Sequence, residues 1–108
     1  MANSFKSNVA ADIVTSGNTV YTCPGATQTT LIGLTLSNKS AGTVTANVFL
    51  RRSSVDYSII SNAPILNGST LVPIGGEQKV VLQAADELKI TASANASVDV
   101  IASLLEIT

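Results

Sequence analysis

Apolar and polar residues alternate with a period of two along most of the chain after residue 30, which is typical of strands with one buried face. In the stretch LIGLTLS, this alternation predicts that Ile32, Leu34 and Leu36 face inward. Residues 43–51, TVTANVFLR, repeat the pattern after a polar turn cluster. The alternation therefore predicts a chain built from half-buried β-strands.

The last strand, residues 98–107, differs because it is apolar on both sides. Its even-numbered positions from Val98 to Leu104 form one apolar face, and Ile101, Leu105 and Ile107 form a second. Such a strand is expected either at the centre of its sheet or with its second face against a neighbouring subunit.

Eight or nine short strands, separated by turn residues, predict an all-β fold with a single antiparallel β-sandwich spanning residues 1–108. A jelly-roll-like arrangement is favoured, because the tryptophan and cysteine pair of immunoglobulin domains are missing. Residues 1–9 alternate only weakly and are predicted to form a flexible N-terminal arm that orders on contact with a neighbour. Pro64 is assigned to a loop, Pro73 argues against a central position for residues 70–74, and Gly75–Gly76 predicts a turn.

The composition is apolar and weakly charged: 45% of residues are hydrophobic, 12% are charged, and the net charge is −1. No basic field attracts nucleic acid or an anionic membrane, so neither is expected as a partner. So little charge predicts instead that much of the surface is covered by other proteins, including copies of the same chain.

Candidate catalytic chemistry is sparse. The chain has no histidine, and Cys23 is its single cysteine, so we expect an inert, half-buried thiol. Asp86 and Glu87 are adjacent, which in a strand sends them to opposite faces, and they are interpreted as the solvated start of a strand. No metal site, cofactor or enzymatic activity is predicted. The N-terminal sequence does not resemble a signal peptide, which predicts that the protein stays in the cytoplasm of the cell that produces it.

The stretch VFLRRSSVDYS, residues 48–58, contains the candidate site. Its pattern predicts a hairpin with Ser53–Ser54 in the turn and with Asp56 opposite or diagonal to Arg51. One interpretation is structural, an ordinary cross-strand ion pair. A second is that Arg51, Arg52, Asp56 and Tyr57 contact a carboxylate-bearing partner protein, and a phosphate-bearing ligand is a third.

Three stretches, VYTCPGATQTTLIGLTLSN, TVTANVFLRRSSVDYSIISNAPI and LQAADELKITASANASVDVIASLLEI, together resemble small virion structural proteins of tailed bacteriophages. The resemblance extends over nearly all of the chain after about residue 8. The chain departs from the family pattern at Ala85, where a glycine is expected before Asp86. We therefore expect this turn to form without a positive φ.

The resemblance implies a capsid decoration, or cement, protein on the virion surface that binds the major capsid protein as a homo-oligomer, for which we expect a trimer. Such a protein would stabilise the assembled shell, with no cofactor and no catalytic residue. One alternative is a neck or tail accessory protein, such as a collar, adaptor or fibre-attachment protein. A receptor- or carbohydrate-binding module is another, with the sequence's four aromatic residues as its stacking platforms: Phe5, Tyr21, Phe49 and Tyr57.

Overall fold

The computed structural model describes residues 3–74 and 79–108 of the chain. These residues form nine β-strands and no helix. In chain order the strands are β1 (Asn3–Ala10), β2 (Asn18–Thr22), β3 (Gln28–Asn38), β4 (Val44–Arg52), β5 (Val55–Ile65), β6 (Thr70–Ile74), β7 (Val80–Leu82), β8 (Glu87–Ala92) and β9 (Val98–Ile107).

The strands form two antiparallel sheets, which confirms the predicted β-sandwich. The first sheet has the order β1-β9-β3-β6, and β7 pairs with β3 beside β6. The second sheet has the order β2-β8-β4-β5. When β6 and β7 are taken as two parts of one interrupted strand along the edge of β3, these are the strand orders of a two-Greek-key jelly roll.

The core lies between the sheets and follows the predicted alternation closely. Leu34 and Leu36 are fully buried, as are the inward positions of β9, which lies between β1 and β3 as predicted for a central strand. Ile32, however, is only partly buried, because the pairing of β3 with β9 shifts register between Leu31 and Gly33. This bulge turns Leu31 inward in its place and reverses the alternation.

The prediction of a flexible arm over residues 1–9 is wrong for the part of it that the structure describes. Asn3–Ala10 forms β1, which pairs with β9 residue by residue from Asn3 opposite Ile107 to Ala10 opposite Val100. The apolar pattern did not reveal this strand, because none of its side chains is fully buried. Its order comes from main-chain hydrogen bonds that complete the edge of β9.

Pro64 lies within β5 and not in the predicted loop. Because β5 is an edge strand of the second sheet, a residue without an N–H group is tolerated there. Pro73 lies in β6, also at an edge, as predicted. The predicted turn at Gly75–Gly76 lies outside the described residues.

The turn before β8 contradicts the expectation of a negative φ, because Ala85 has a φ of 72°. A left-handed conformation costs an L-residue roughly 1–2 kcal/mol that glycine avoids, while glycine loses somewhat more chain entropy on folding. Ala85→Gly is therefore expected to raise the free energy of unfolding by about 0.5–1 kcal/mol, measured by urea denaturation. Ala84, which has no positive φ, is the matched control, and Ala84→Gly is expected to destabilise the protein. A loss of stability in both variants would contradict this account.

Candidate functional site

The hairpin between β4 and β5 has the predicted two-residue turn. Ser53 and Ser54 have φ values of 53° and 64°, the signs that a type I′ turn requires at both central positions. Arg52 and Val55 flank the turn as register partners. This turn matches the twist of the two strands and keeps them paired to the tip.

The predicted ion pair across the hairpin is confirmed. Arg51 and Asp56 are opposite each other in the register, and Arg51 Nη1 donates a hydrogen bond of 2.7 Å to Asp56 Oδ1. About a third of each side chain is exposed, so the pair contributes only about 0.2–1 kcal/mol. It fixes the side chains on the outer face of the hairpin without making a reactive site.

Arg52 lies on the other face of the hairpin and donates two hydrogen bonds to Asp86. Arg52 Nε is 2.9 Å from Asp86 Oδ1, and Nη2 is 2.5 Å from Oδ2. The Gln83 amide donates a third bond, of 2.8 Å, to the same carboxylate. The hydrogen bond from Arg52, together with that of the Gln83 amide, holds the pKa of Asp86 below its ordinary value.

Asp86 is therefore not the solvated strand start that the sequence indicated, since its side chain is only 3% exposed. Its contact with Arg52 joins the hairpin to the turn that precedes β8. Arg52 and Asp86 are 34 residues apart, so charges that are neighbours in the sequence gave no sign that these two residues are partners.

Tyr57 is the candidate residue with the most exposed side chain. It lies opposite Leu50 in the register, on the same side of the hairpin as Arg52, and is 56% exposed. Val55, also on this side, is 49% exposed. The four predicted contact residues thus share one hairpin tip but divide between its two faces, and their role in binding a partner stays a prediction.

The outer face of the first sheet is a larger apolar surface, which the sequence indicated only at the last strand. The outward side chains of β1 from Phe5 to Val9 and of β9 from Ile101 to Ile107 carry no charge. Phe5, Val9 and Ile101 are 78%, 71% and 52% exposed. Exposed large apolar side chains grouped on one face mark an interaction surface.

The outer face of the second sheet has the opposite character. Glu87 and Lys89 on β8 point outward beside Arg51 and Phe49 of β4, and the Thr19 hydroxyl donates to Glu87 at 3.1 Å. The first sheet also carries a charge on its outer face, since Asp99 of β9 pairs with Lys39 at 2.9 Å, but its β1–β9 region from Phe5 to Val9 and from Ile101 to Ile107 is uncharged there. This contrast identifies the β1–β9 region of the first sheet as the surface suited to burial against protein.

A buried polar cluster ties β1 and the two sheets together, and the sequence reasoning missed it. The Tyr21 hydroxyl from the second sheet donates to Glu106 Oε2 on β9 and contacts Thr29 Oγ1 at 2.8 Å. Lys6 Nζ of β1 lies 2.9 Å from Glu106 Oε1. The signal was available, because Glu106 shares the parity of the inward residues of β9.

The cluster shifts the ionisation of both acidic groups. The hydrogen bond from Tyr21, and then that from Lys6, lowers the pKa of Glu106. Burial, and then the hydrogen bond to Glu106, raises the pKa of Tyr21 to about 12. At neutral pH the pair is therefore a carboxylate and a neutral phenol, an arrangement that stabilises the fold and leaves neither group poised for proton transfer.

The raised pKa of Tyr21 predicts that the folded protein loses stability at alkaline pH. Its raised pKa means that the unfolded chain releases the phenolic proton from about pH 10, whereas the folded chain holds it to about pH 12. The melting temperature is expected to fall across this window in the wild type and less steeply in Tyr21→Phe. Tyr57→Phe, which changes the exposed tyrosine, is the control and should leave the wild-type slope. Parallel slopes in all three proteins would contradict the assignment.

Cys23 is fully buried, not half-buried, at 1% exposure. Its Sγ lies 3.3 Å from Thr29 Oγ1 and 3.4 Å from the Thr27 carbonyl. Over residues 3–74 and 79–108, no group of three or more potential ligands among cysteine, histidine, aspartate and glutamate is placed to hold a metal ion. Within the same ranges, no helix has the length and apolarity to cross a membrane.

Comparison with solved structures relates this jelly roll to subunits of larger assemblies. A protein of Bacillus endospore appendages, described as a novel family of disulfide-linked pili, aligns with a TM-score of 0.60 and 12% identity over 99% of this chain and 87% of its own. The extra small virus particle of the giant freshwater prawn Macrobrachium rosenbergii aligns at 0.50 and 10% identity over 98% and 79%. The T13 particle of infectious bursal disease virus aligns at 0.52 and 10% identity over 96% of this chain but 30% of that one.

At these identities the comparisons establish a shared fold. No protein-family model matches the sequence, and no curated protein matches it either. The chain thus has the fold of subunits from a pilus and from viral particles.

Proposed function

We propose that the protein is a structural subunit of a tailed-bacteriophage virion, a decoration protein that binds the assembled head as a homotrimer. The observation that supports the proposal is the uncharged, exposed apolar surface on the β1–β9 pair of the first sheet, which includes Phe5, Val9 and Ile101. The fold shared with subunits of viral particles supports it, as does the sequence resemblance to virion proteins of tailed phages.

Such a subunit acts by burying surface and needs no chemistry. Apolar area removed from water contributes about 25 cal/mol per Å², so a face this apolar favours attachment to neighbouring protein. A decoration protein that binds only the assembled shell stabilises that shell by mass action, because disassembly must also release it. The outer face of the first sheet would lie against the major capsid protein or a second copy, with the charged second sheet toward solvent.

The number of copies in purified virions tests the location. Copies on the order of hundreds per particle would follow the symmetry of the head lattice, whereas about a dozen would follow the neck or tail. Quantitative mass spectrometry of purified particles distinguishes the two, and absence of the protein from particles would overturn the proposal. A receptor-binding role would show instead as glycan binding without co-sedimentation with capsids.

A charge placed on the apolar face tests the surface. Ile101→Lys is expected to reduce co-sedimentation with capsids at least about tenfold, because the lysine must be desolvated at the interface. Thr45→Lys, on the outer face of the second sheet, adds the same charge as a matched control and should leave binding unchanged. Equal binding by both variants would overturn the assignment of the face.

The hairpin tip is tested separately. Tyr57→Ala is the informative change there, since Arg52 is held by Asp86 and its removal would disturb the fold. If the tip contacts a partner, Tyr57→Ala weakens attachment while the melting temperature stays within a degree or two of the wild type. Unchanged occupancy on particles would leave the tip as ordinary surface.

A filament subunit is the second candidate, favoured by the alignment with the Bacillus appendage protein over 99% of this chain and 87% of that one. That protein forms disulfide-linked pili, whereas the thiol of Cys23 in this chain is buried. A filament of this protein would therefore be held by non-covalent contacts. Electron microscopy of the concentrated protein distinguishes the two candidates. A filament subunit would form filaments that persist in reducing agent, whereas a decoration protein would appear as discrete trimers.

A further inference from the structure

Strand β1 contributes almost nothing to the core of its own sandwich. None of its eight residues is fully buried, and its two largest apolar side chains, Phe5 and Val9, point into solvent. Because burial of apolar side chains supplies most of the stability of a strand, β1 is the strand of the first sheet that its side chains anchor least.

Three sets of contacts hold β1 to the sandwich, and in each of them the contacting residue on the β1 side lies within Asn3–Ala10. The first is the unbroken ladder with β9, from Asn3 opposite Ile107 to Ala10 opposite Val100. The second is the ion pair of 2.9 Å between Lys6 and Glu106. In the third, Asn8 Nδ2 donates a hydrogen bond of 3.1 Å to the Val20 carbonyl. The same segment from another copy would reproduce all three.

The boundary between β1 and the rest of the sandwich is sharp. Ile13 is fully buried, and its amide donates a 3.0 Å hydrogen bond to the Val98 carbonyl. Asp12 is held at the surface, because its amide donates a 3.1 Å hydrogen bond to Asp99 Oδ1 and its carboxylate lies 2.5 Å from Lys39 Nζ, so the chain is anchored from Asp12 onward. Asp12, immediately before Ile13, turns the chain with a φ of 57°. A change of the backbone at this one hinge would redirect β1 and leave the core intact.

If no strand occupied the site of β1, the sandwich would lose stability. Glu106 has a side chain only 7% exposed, and Lys6 is the cation that pairs with it. Departure of β1 would leave this buried carboxylate without its cation and expose a row of unpaired main-chain groups along β9. The site therefore selects a strand with a lysine in register with Leu104, which β1 of a second copy provides.

We infer that β1 is an exchangeable strand, which leaves its own sandwich and pairs with β9 of a neighbouring copy when subunits assemble. The inference rests on the proposed role as an assembling subunit and names the contact that links the copies. Each sandwich remains complete after the exchange, because every subunit donates one strand and accepts one. The Asp12 hinge sets the direction in which the next subunit lies.

Cross-linking between single-cysteine chains tests the exchange. Ser7 and Ser103 are exposed register partners on β1 and β9, at a separation that suits a disulfide. Chains with Ser7→Cys and chains with Ser103→Cys, both in a Cys23→Ser background, are unfolded in urea, mixed, refolded together and oxidised. Exchange is expected to give disulfide-linked heterodimers on a non-reducing gel, because each such bond joins β1 of one chain to β9 of another.

The control mixture pairs Ser7→Cys with Ser58→Cys, an exposed position on β5 far from β9 in the sheet order. Heterodimer from the test mixture should exceed this collisional background at least about tenfold, since paired strands hold the thiols at a millimolar effective concentration. A second control is a single chain that carries both Ser7→Cys and Ser103→Cys. If this chain forms its disulfide internally while the test mixture gives no more heterodimer than the control mixture, the exchange is overturned.

Light scattering on the same samples separates this inference from the proposed function. Particles or trimers without heterodimer would overturn the exchange and leave assembly standing. Heterodimer in a protein that forms no assembly beyond the linked pair would support the exchange and count against the virion role.

Discussion

Replacing Asp86 with alanine is expected to lower the free energy of unfolding by about 2 kcal/mol at neutral pH, measured by urea denaturation. The carboxylate accepts hydrogen bonds from Arg52 and from the Gln83 amide, and hydrogen bonds to a charged group contribute about 1.5–3 kcal/mol. Its burial keeps solvent from replacing them, because the side chain is only 3% exposed. The change also frees the hairpin tip from the turn that precedes β8.

Asp56 supplies the matched control, since it pairs with Arg51 on the same hairpin but is ten times as exposed, at 31%. Asp56→Ala is expected to cost only about 0.2–1 kcal/mol. The two variants also differ in their dependence on pH. Because the folded state lowers the pKa of Asp86, its contribution is present above about pH 4 and is lost as the pH falls through the folded value. Equal losses in both variants at pH 7 would show that Asp86 is not a structural anchor.

Local alternation was enough to predict the sandwich and the hairpin. The inward faces of β4 and β9 follow from a period of two, and the Arg51–Asp56 pair follows from a two-residue turn that fixes the register on both sides. These features depend on residues close together in the sequence. The strand order within each sheet did not follow from local alternation, because it depends on pairings between strands that are distant in the sequence, such as β1 with β9.

Features that depend on distant residues escaped the sequence analysis. Strand β1 is held by main-chain groups of β9, about 100 residues away, and its own side chains show no buried face. The bulge at Gly33 reverses the expected direction of Ile32, and the glycine within the alternating stretch was its only sign in the sequence. The role of Arg52 depends on Asp86, which only the folded chain brings within hydrogen-bonding distance.

The candidate surface was predicted only in part, for a related reason. Sequence reasoning favours charged and aromatic residues as contact sites, and it therefore selected the hairpin tip. Exposed apolar residues become a surface only when neighbouring strands place them side by side, as Val9 and Ile101 are across the β1–β9 pair. The double apolar pattern of the last strand was the one visible sign of this face.

Replacing Glu106 with alanine is expected to cost about 2–4 kcal/mol of unfolding free energy, the largest effect of any change considered. The substitution removes the acceptor of the Tyr21 hydroxyl, breaks the ion pair with Lys6 and leaves a void between the sheets. Protection of the β1 amides against hydrogen exchange should fall further than that of β8, because Lys6 anchors a strand that has no fully buried side chain of its own.

Glu106→Gln distinguishes the two interactions, since the amide oxygen still accepts from Tyr21 while the charge that attracts Lys6 is gone. Because Lys6 is half exposed and can be hydrated, this variant should lose less than half of what Glu106→Ala loses. The folded state lowers the pKa of Glu106, so its ionised form stabilises the protein above about pH 4.5, and the difference between wild type and Glu106→Gln should shrink as the pH falls through the folded value. A constant difference down to pH 2, or a loss in the glutamine variant equal to that of alanine, would contradict the view that one carboxylate joins Tyr21 in the second sheet to β1 at the edge of the first.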